Sequence, residues 1–312
     1  MNKLYKIFFT FALSFFISLS GFGDSFSEFL NNPAIKEYTG CRAYSKIEKQ
    51  KRRDIYLINF SQLYANYGDN VDFALRENAI LLDKTNMELM YGKSSVPPCR
   101  YTIGSRPILE AVVEKCRGKN DQETVLNLMR FCRDLHKKRT PNQENVYGGF
   151  EEEMIDRGEI LCEELARLIV ALGEIANIPG RIVLHTVGGH YTAELYIDGA
   201  WAYLDPRMGI YFLKDDGKIA SIKELLANPK LIYQQSEAVK NDVVAYTTWD
   251  VRAKKCHDIY FQDVELNCFS YYSLADREKY NFNKLSLAEA TEKGLFYYNK
   301  FYGKLIKELT QK

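Results

Sequence analysis

The sequence predicts an α+β fold, on three observations. Two segments, "NDQETVLNLMRFCRDLHKKR" and "CEELARLIVALGEIAN", repeat apolar residues at helical spacing. "RIVLHTV" has the β-branched content of a strand. "HYTAELYIDGAWAYLDP" reads as two further strands joined by Asp198-Gly199, a pair that tolerates positive φ at both central turn positions. The chain has 312 residues, 46% hydrophobic and 27% charged, which is enough for one large domain or two smaller ones. Lys plus Arg is 42 against 41 Asp plus Glu, so charge gives no reason to expect a nucleic-acid or other polyanion partner.

From the N-terminus, "MNKLYK" carries two lysines, an apolar run follows, and small residues gather at Ser18, Ser20, Gly21 and Gly23. This is the layout of a secretory signal peptide over residues 1–23. The uncharged run from Ile7 to Gly23 has 17 residues, at the short limit for a membrane span. The expectation is an exported protein, periplasmic, cell-envelope or secreted, with no integral membrane domain once the leader is cleaved. Residues 24–118 are mixed and turn-rich and carry no chemical motif, so an accessory or lid region is expected there. A core over 119–250 follows. Its first helix places Val125, Leu128, Met129, Cys132 and Leu135 on one face, which makes Cys132 a core thiol. Its second carries a stripe of Leu165, Leu168, Ile169, Leu172 and Ile175, and "NIPG" stops it at Asn177. Residues 251–312 form a C-terminal region. Its tail is expected to be a helix starting at Ser286, where "SLAE" is a capping box, and packed through Leu295, Tyr298, Phe301, Leu305 and Leu309.

Seven cysteines, Cys41, Cys99, Cys116, Cys132, Cys162, Cys256 and Cys268, remain in a chain expected to meet oxidising conditions. An odd count leaves at least one thiol over, and Cys256 with Cys268 is the first expectation for a bridge.

The hairpin geometry carries the chemistry. If Asp198-Gly199 is the turn, Ile197 faces Ala200, Thr192 faces Asp205, and His190 faces Arg207. His190, Thr192, Asp205 and Arg207 then share one face, and His190 and Asp205 are diagonal neighbours within side-chain reach. Tyr191, Ala193, Leu195, Ala202 and Leu204 form the opposite, core-like face. An imidazole oriented by a carboxylate needs a nucleophile to complete a triad. Cys162 is the candidate, in the first turn of the second helix, where unpaired N–H groups and the helix dipole favour a thiolate and could hold an oxyanion.

These residues resemble the transglutaminase-like superfamily of papain-like thiol enzymes. The shared pattern is a cysteine opening a helix (Cys162), then "NIPGR" ending at Arg181, a histidine opening a strand (His190), and an aspartate in "WAYLDP" (Asp205). The likeness covers roughly residues 120–215. Two positions depart from the pattern: the glycine often found just before the nucleophile stands at Gly158, and the aromatic often found two residues after the histidine is Thr192. The resemblance implies a papain-like, transglutaminase-like core, in which a helix bearing the nucleophile packs on an antiparallel sheet between a mixed N-terminal region and a helical C-terminal tail. It implies acyl transfer through a Cys162 thioester on a protein or peptide amide, with His190 as base, Asp205 as its orienting partner, and no cofactor or metal.

His185 is a competing imidazole inside an apolar strand, and a metal site at Cys256-His257 lacks further ligands at a useful spacing. Trp201 and Tyr203 fall on the His190 face. The thioester is expected to end in hydrolysis, because small polar Thr192 makes one wall wetter than an amine-binding pocket needs. Transamidation, and a binding module that keeps the fold without turnover, are the alternatives.

Overall fold

The computed structural model describes residues 80–138, 146–147, 149–187, 189–279 and 285–286. In chain order the strands are β1 (Ile80–Leu81), β2 (Val146–Tyr147), β3 (Gly180–His185), β4 (His190–Ile197), β5 (Ala200–Leu204), β6 (Asn267–Ser270) and β7 (Leu285–Ser286). The helices longer than one α-turn are α1 (Pro107–Cys116), α2 (Asp121–Asp134), α3 (Glu151–Arg157), α4 (Cys162–Ile175), α5 (Ile222–Ala227) and α6 (Trp249–Lys255). A π-helical turn, Cys256–Tyr260, follows α6 directly.

The hairpin sets the frame. Asp198 and Gly199 take φ of 50° and 79°, as the two-residue turn requires. The register runs from Ile197↔Ala200 to Ala193↔Leu204, as the sequence predicts. It stops there. The expected pairs Thr192 with Asp205 and His190 with Arg207 do not form, because Asp205 turns away to bridge Ile210. On its other side β4 pairs with β3, β3 with β6, and β6 with β1, giving an antiparallel five-stranded sheet in the order β1-β6-β3-β4-β5. The α+β class is therefore as expected. Strands β2 and β7 form a separate two-stranded pair.

Helix α4 lies on β3 and β4. Its apolar stripe is buried as expected from Leu165 to Leu172, with Ile175 partly buried, but so are Glu164, Arg167 and Glu174, because α1, α2 and the sheet enclose it. Approach is close where Gly180 leaves room: a Cβ there would stand 2.5 Å from the Leu195 side chain. The helix ends as predicted, with Asn177 at φ 63° and Pro179 beyond. Helix α2 opens with an Asn120 cap on the Glu123 N–H and buries Val125, Leu128, Met129 and Cys132. The region expected to be accessory supplies β1 to the main sheet and α1 to the helices around α4, while its residues 24–79 lie outside the described residues. The expected leader, residues 1–23, also lies outside them. So does the expected C-terminal helix beyond Ser286, and Ser286 itself closes β7.

On the same face of the sheet as His190 sits a buried ion pair. Arg181 and Glu194 are both fully enclosed, with Nη2–Oε2 at 2.6 Å and Nε–Oε2 at 2.9 Å. Arg181 Nη1 donates to the Met90 carbonyl at 2.6 Å. The other Glu194 oxygen accepts from the Ile222 N–H at 2.8 Å and the Tyr91 hydroxyl at 3.0 Å. The guanidinium lies over the Phe269 and Trp201 rings, 3.5 and 3.9 Å from their centroids. Every strong donor and acceptor has a partner, the condition under which a charge can be buried at all. Trp201 is therefore on the His190 face, as expected, but it is buried against Arg181 and lines no open wall.

Candidate functional site

His190 opens β4, and Asp205 leaves the end of β5. His190 Nε2 and Asp205 Oδ2 stand 2.7 Å apart, so the hairpin does hold an imidazole against a carboxylate. The other carboxylate oxygen, Oδ1, accepts the backbone N–H groups of Arg207 at 3.0 Å and Met208 at 3.1 Å. Asp205 N–H bonds the Ile210 carbonyl at 2.8 Å, and the Gly209 N–H bonds the Asp205 carbonyl at 2.9 Å. The carboxylate is thus clamped by its own turn before it meets the ring. Burial alone would push its carboxyl up. The electrostatic pull of His190 and its hydrogen bond, the Met208 N–H and the charge of Arg252 outweigh this and hold it below the ordinary aspartate range.

Burial is also the largest influence on His190, and it carries the ring below the ordinary histidine range against the opposing pull of Asp205. The ring is neutral at pH 7. With its Nε2 proton on Asp205, Nδ1 is left with a lone pair and has no hydrogen bond among the described residues.

Cys162 is the first residue of α4, after Leu161 at the N-cap. The loop before it is tied by Glu159, whose Oε1 accepts the Ile160 N–H at 2.7 Å and the Leu161 N–H at 2.8 Å. Gly158, at φ 76°, ends α3 and turns the chain into that loop. The Tyr191 N–H, next to His190, lies against the sulfur and favours its charged form. The expectation of a ready thiolate fails, however. Burial, then the Glu163 carboxylate, push the thiol up to about 12. The sulfur donates to Glu163 Oε2 at 3.3 Å. Cys162 is 8% exposed, and at that burial desolvation outweighs the helix dipole.

His185 is the direct cross-strand neighbour of His190 in the β3–β4 ladder. Both of its nitrogens are occupied, Nδ1 by Asn267 Oδ1 at 2.6 Å and Nε2 by Thr192 Oγ1 at 3.0 Å. It has no lone pair to offer a thiol. Thr192 is wholly buried in this contact, so it does not form the wetter wall expected of it. Tyr203 is also enclosed, against Phe212 and Phe261. Tyr203 and Phe261 meet His185 edge-on, and Tyr260, at the end of the π-turn, stacks on both histidines, at 5.4 Å from His190 and 4.4 Å from His185. No sequence pattern pointed to Tyr260. A π-turn has no local signature, and the contact spans the chain from β4 to the segment before β6.

Cys256 and Cys268, the expected bridge, are both free thiols. Cys268 is locked into the β6 ladder opposite Leu81 and Leu184, while Cys256 starts the π-turn. His257 Nδ1 contacts Asp258 Oδ1 at 2.8 Å, and among the described residues no cluster of three or more His, Cys, Asp or Glu side chains is placed to hold a metal. No helix among the described residues is long and apolar enough to cross a membrane.

Buried His185 gives the site a pH dependence. Desolvation, then the neighbouring His190, lower its pKa to about 3, whereas the unfolded chain takes up that proton near 6.5. A depressed histidine contributes stability that is complete above the unfolded value and is lost as pH falls toward the folded one. Urea unfolding at pH 7 and pH 4.5 should therefore differ by roughly 2–3 kcal/mol, and His185→Gln should reduce the difference. A flat profile in the native protein over that interval would refute it.

Among known proteins, no family model, no curated protein and no solved structure matches the chain.

Proposed function

We propose that the protein is an exported thiol enzyme that cleaves amide or peptide bonds through a Cys162 thioester, built on a papain-like, transglutaminase-like core. The single observation that carries this reading is the 2.7 Å His190–Asp205 contact, made beside the strand residue whose N–H lies against the Cys162 sulfur. Cys162 attacks the amide carbonyl carbon as His190 Nδ1 takes the thiol proton. The carbon–nitrogen bond then breaks and His190 returns the proton to the departing amine, leaving the thioester. Water attacks the thioester carbonyl and gives a proton to His190. The carbon–sulfur bond breaks, and the proton returns to sulfur as the acid leaves. Since thiol and imidazole both rest neutral, the proton must move as the bond to carbon forms, and His190 acts as a general base rather than as half of a standing ion pair.

Hydrolysis is favoured over transamidation on electrostatic grounds. Arg207, Arg252 and Lys255 all act on the triad, and a protonated amine acceptor would meet their repulsion where water would not. A second reading, a binding module without turnover, draws on the high pKa and low exposure of the Cys162 thiol.

One mass-spectrometric experiment tests both. Protein taken from the native cell envelope is incubated with an activated acyl donor, with and without a labelled primary amine. Acylation at Cys162, absent from Cys162→Ala, followed by acid release that ignores the amine, is the expected result. The same spectra should lack about twenty N-terminal residues, consistent with leader removal. An unmodified Cys162 would leave the binding module standing, and efficient amine incorporation would replace hydrolysis by transamidation.

A further inference from the structure

The Arg207 guanidinium makes no hydrogen bond or ion pair among the described residues. Its Nε is fully buried without an acceptor, although the residue as a whole is half-buried. Its backbone is fixed, because the Arg207 N–H is held by Asp205 Oδ1 at 3.0 Å and the neighbouring Met208 carbonyl accepts the Val244 N–H at 3.1 Å. The charge is close enough to act on the Cys162 sulfur and on Glu163 and Asp205, yet neither carboxylate pairs with it. Glu163 is engaged by the thiol, and Asp205 by His190 and its own turn. An arginine held half out of water with an orphaned donor is costly unless an anion completes it.

We propose that Arg207 is the specificity residue of the site and takes a carboxylate carried by the substrate next to the scissile amide, so that the substrates are acidic peptides or amides. The inference rests on the reading of Cys162 as the nucleophile. A carboxylate fits better than the transient oxyanion of the reaction. The guanidinium already lacks a partner before any reaction, and a planar fork of donors matches a carboxylate in two parallel hydrogen bonds. The surroundings agree: Arg252 acts on Asp205 and Lys255 on His190, leaving Glu163 and Asp205 as the opposing charges, both committed elsewhere.

Two measurements test this and separate its failure from that of the thioester reading. The first is the rate of Cys162 acylation by a matched pair of activated acyl donors, one with a free glutamate side chain and one with that side chain as its methyl ester. The native protein should prefer the acid at least tenfold, or about 1.4 kcal/mol. Arg207→Ala should bring the ratio to about one, and Arg207→Lys should keep part of it. A native ratio near one, or one unchanged in Arg207→Ala, overturns the proposal while leaving Cys162 as nucleophile.

The second is calorimetric titration of Cys162→Ala with acetyl-Ala-Glu-amide. Saturable binding is expected, lost when Arg207→Ala is added and absent for the methyl ester. Lack of binding also overturns the proposal. Binding without any acylation of the native protein keeps the carboxylate site and removes the thioester reading.

Discussion

Asp205→Asn should slow Cys162 acylation by about 10³–10⁴-fold, with the fold intact. The size follows from the tautomer. Asp205 Oδ2 accepts the Nε2 proton of His190 and so keeps Nδ1 unprotonated. An asparagine would retain Oδ1 for the Arg207 and Met208 N–H groups. It would then present its amide donors to Nε2, and the ring proton would move to Nδ1. A ring protonated at Nδ1 cannot take the thiol proton, and in this protein the thiol cannot lose it unaided, since its pKa stands at about 12. The check is the acylation rate of both proteins with the same donor, alongside their urea unfolding curves. A loss below tenfold at equal stability would mean that the carboxylate does not set the tautomer.

Arg181→Ala should destabilise the protein by about 3–5 kcal/mol, enough to leave a typical domain close to unfolding. Removing the guanidinium leaves Glu194 charged and fully enclosed, with only the Ile222 N–H and the Tyr91 hydroxyl as donors. It also empties the space between the Phe269 and Trp201 rings. Arg181→Met with Glu194→Gln should recover much of the loss, because the uncompensated charge is then gone. Urea midpoints of the three proteins decide the matter. A single substitution that costs less than about 1 kcal/mol would show that the pair is more open to water than its burial indicates.

What the sequence made legible was local. The Asp198-Gly199 turn, the pairing that follows from it, the α2 and α4 stripes and the stop at Asn177 all rest on residues within a few positions of one another. The meeting of His190 and Asp205 was legible from the same turn, although Asp205 reaches the ring from its own bend with Ile210 and not from the predicted strand pair. What stayed hidden depends on distant segments. Asn267, which holds His185, and Tyr260, which stacks on both imidazoles, come from beyond α6. The Glu194 partner of Arg181 gave no sign, because a charged residue on a strand ordinarily faces water. The Cys162 thiol was misjudged for a related reason. Position in a helix can be read from spacing, but the solvent left around a sulfur depends on every element packed over it. Arg207 stood on the predicted face without an assigned role, because a missing counter-charge can be recognised only once all its neighbours are placed.

The hairpin also has a consequence for chain closure. His190 and Asp205 are 15 residues apart, whereas the His185–Asn267 contact joins residues 82 apart. Loop-closure entropy grows as three halves of RT times the logarithm of length, so the second contact costs about 1.5 kcal/mol more to close. The acid–base pair is therefore among the cheaper long contacts of the sheet to assemble, whereas the bond that fixes the orientation of the adjacent imidazole must wait until β6 has returned to pair with β3.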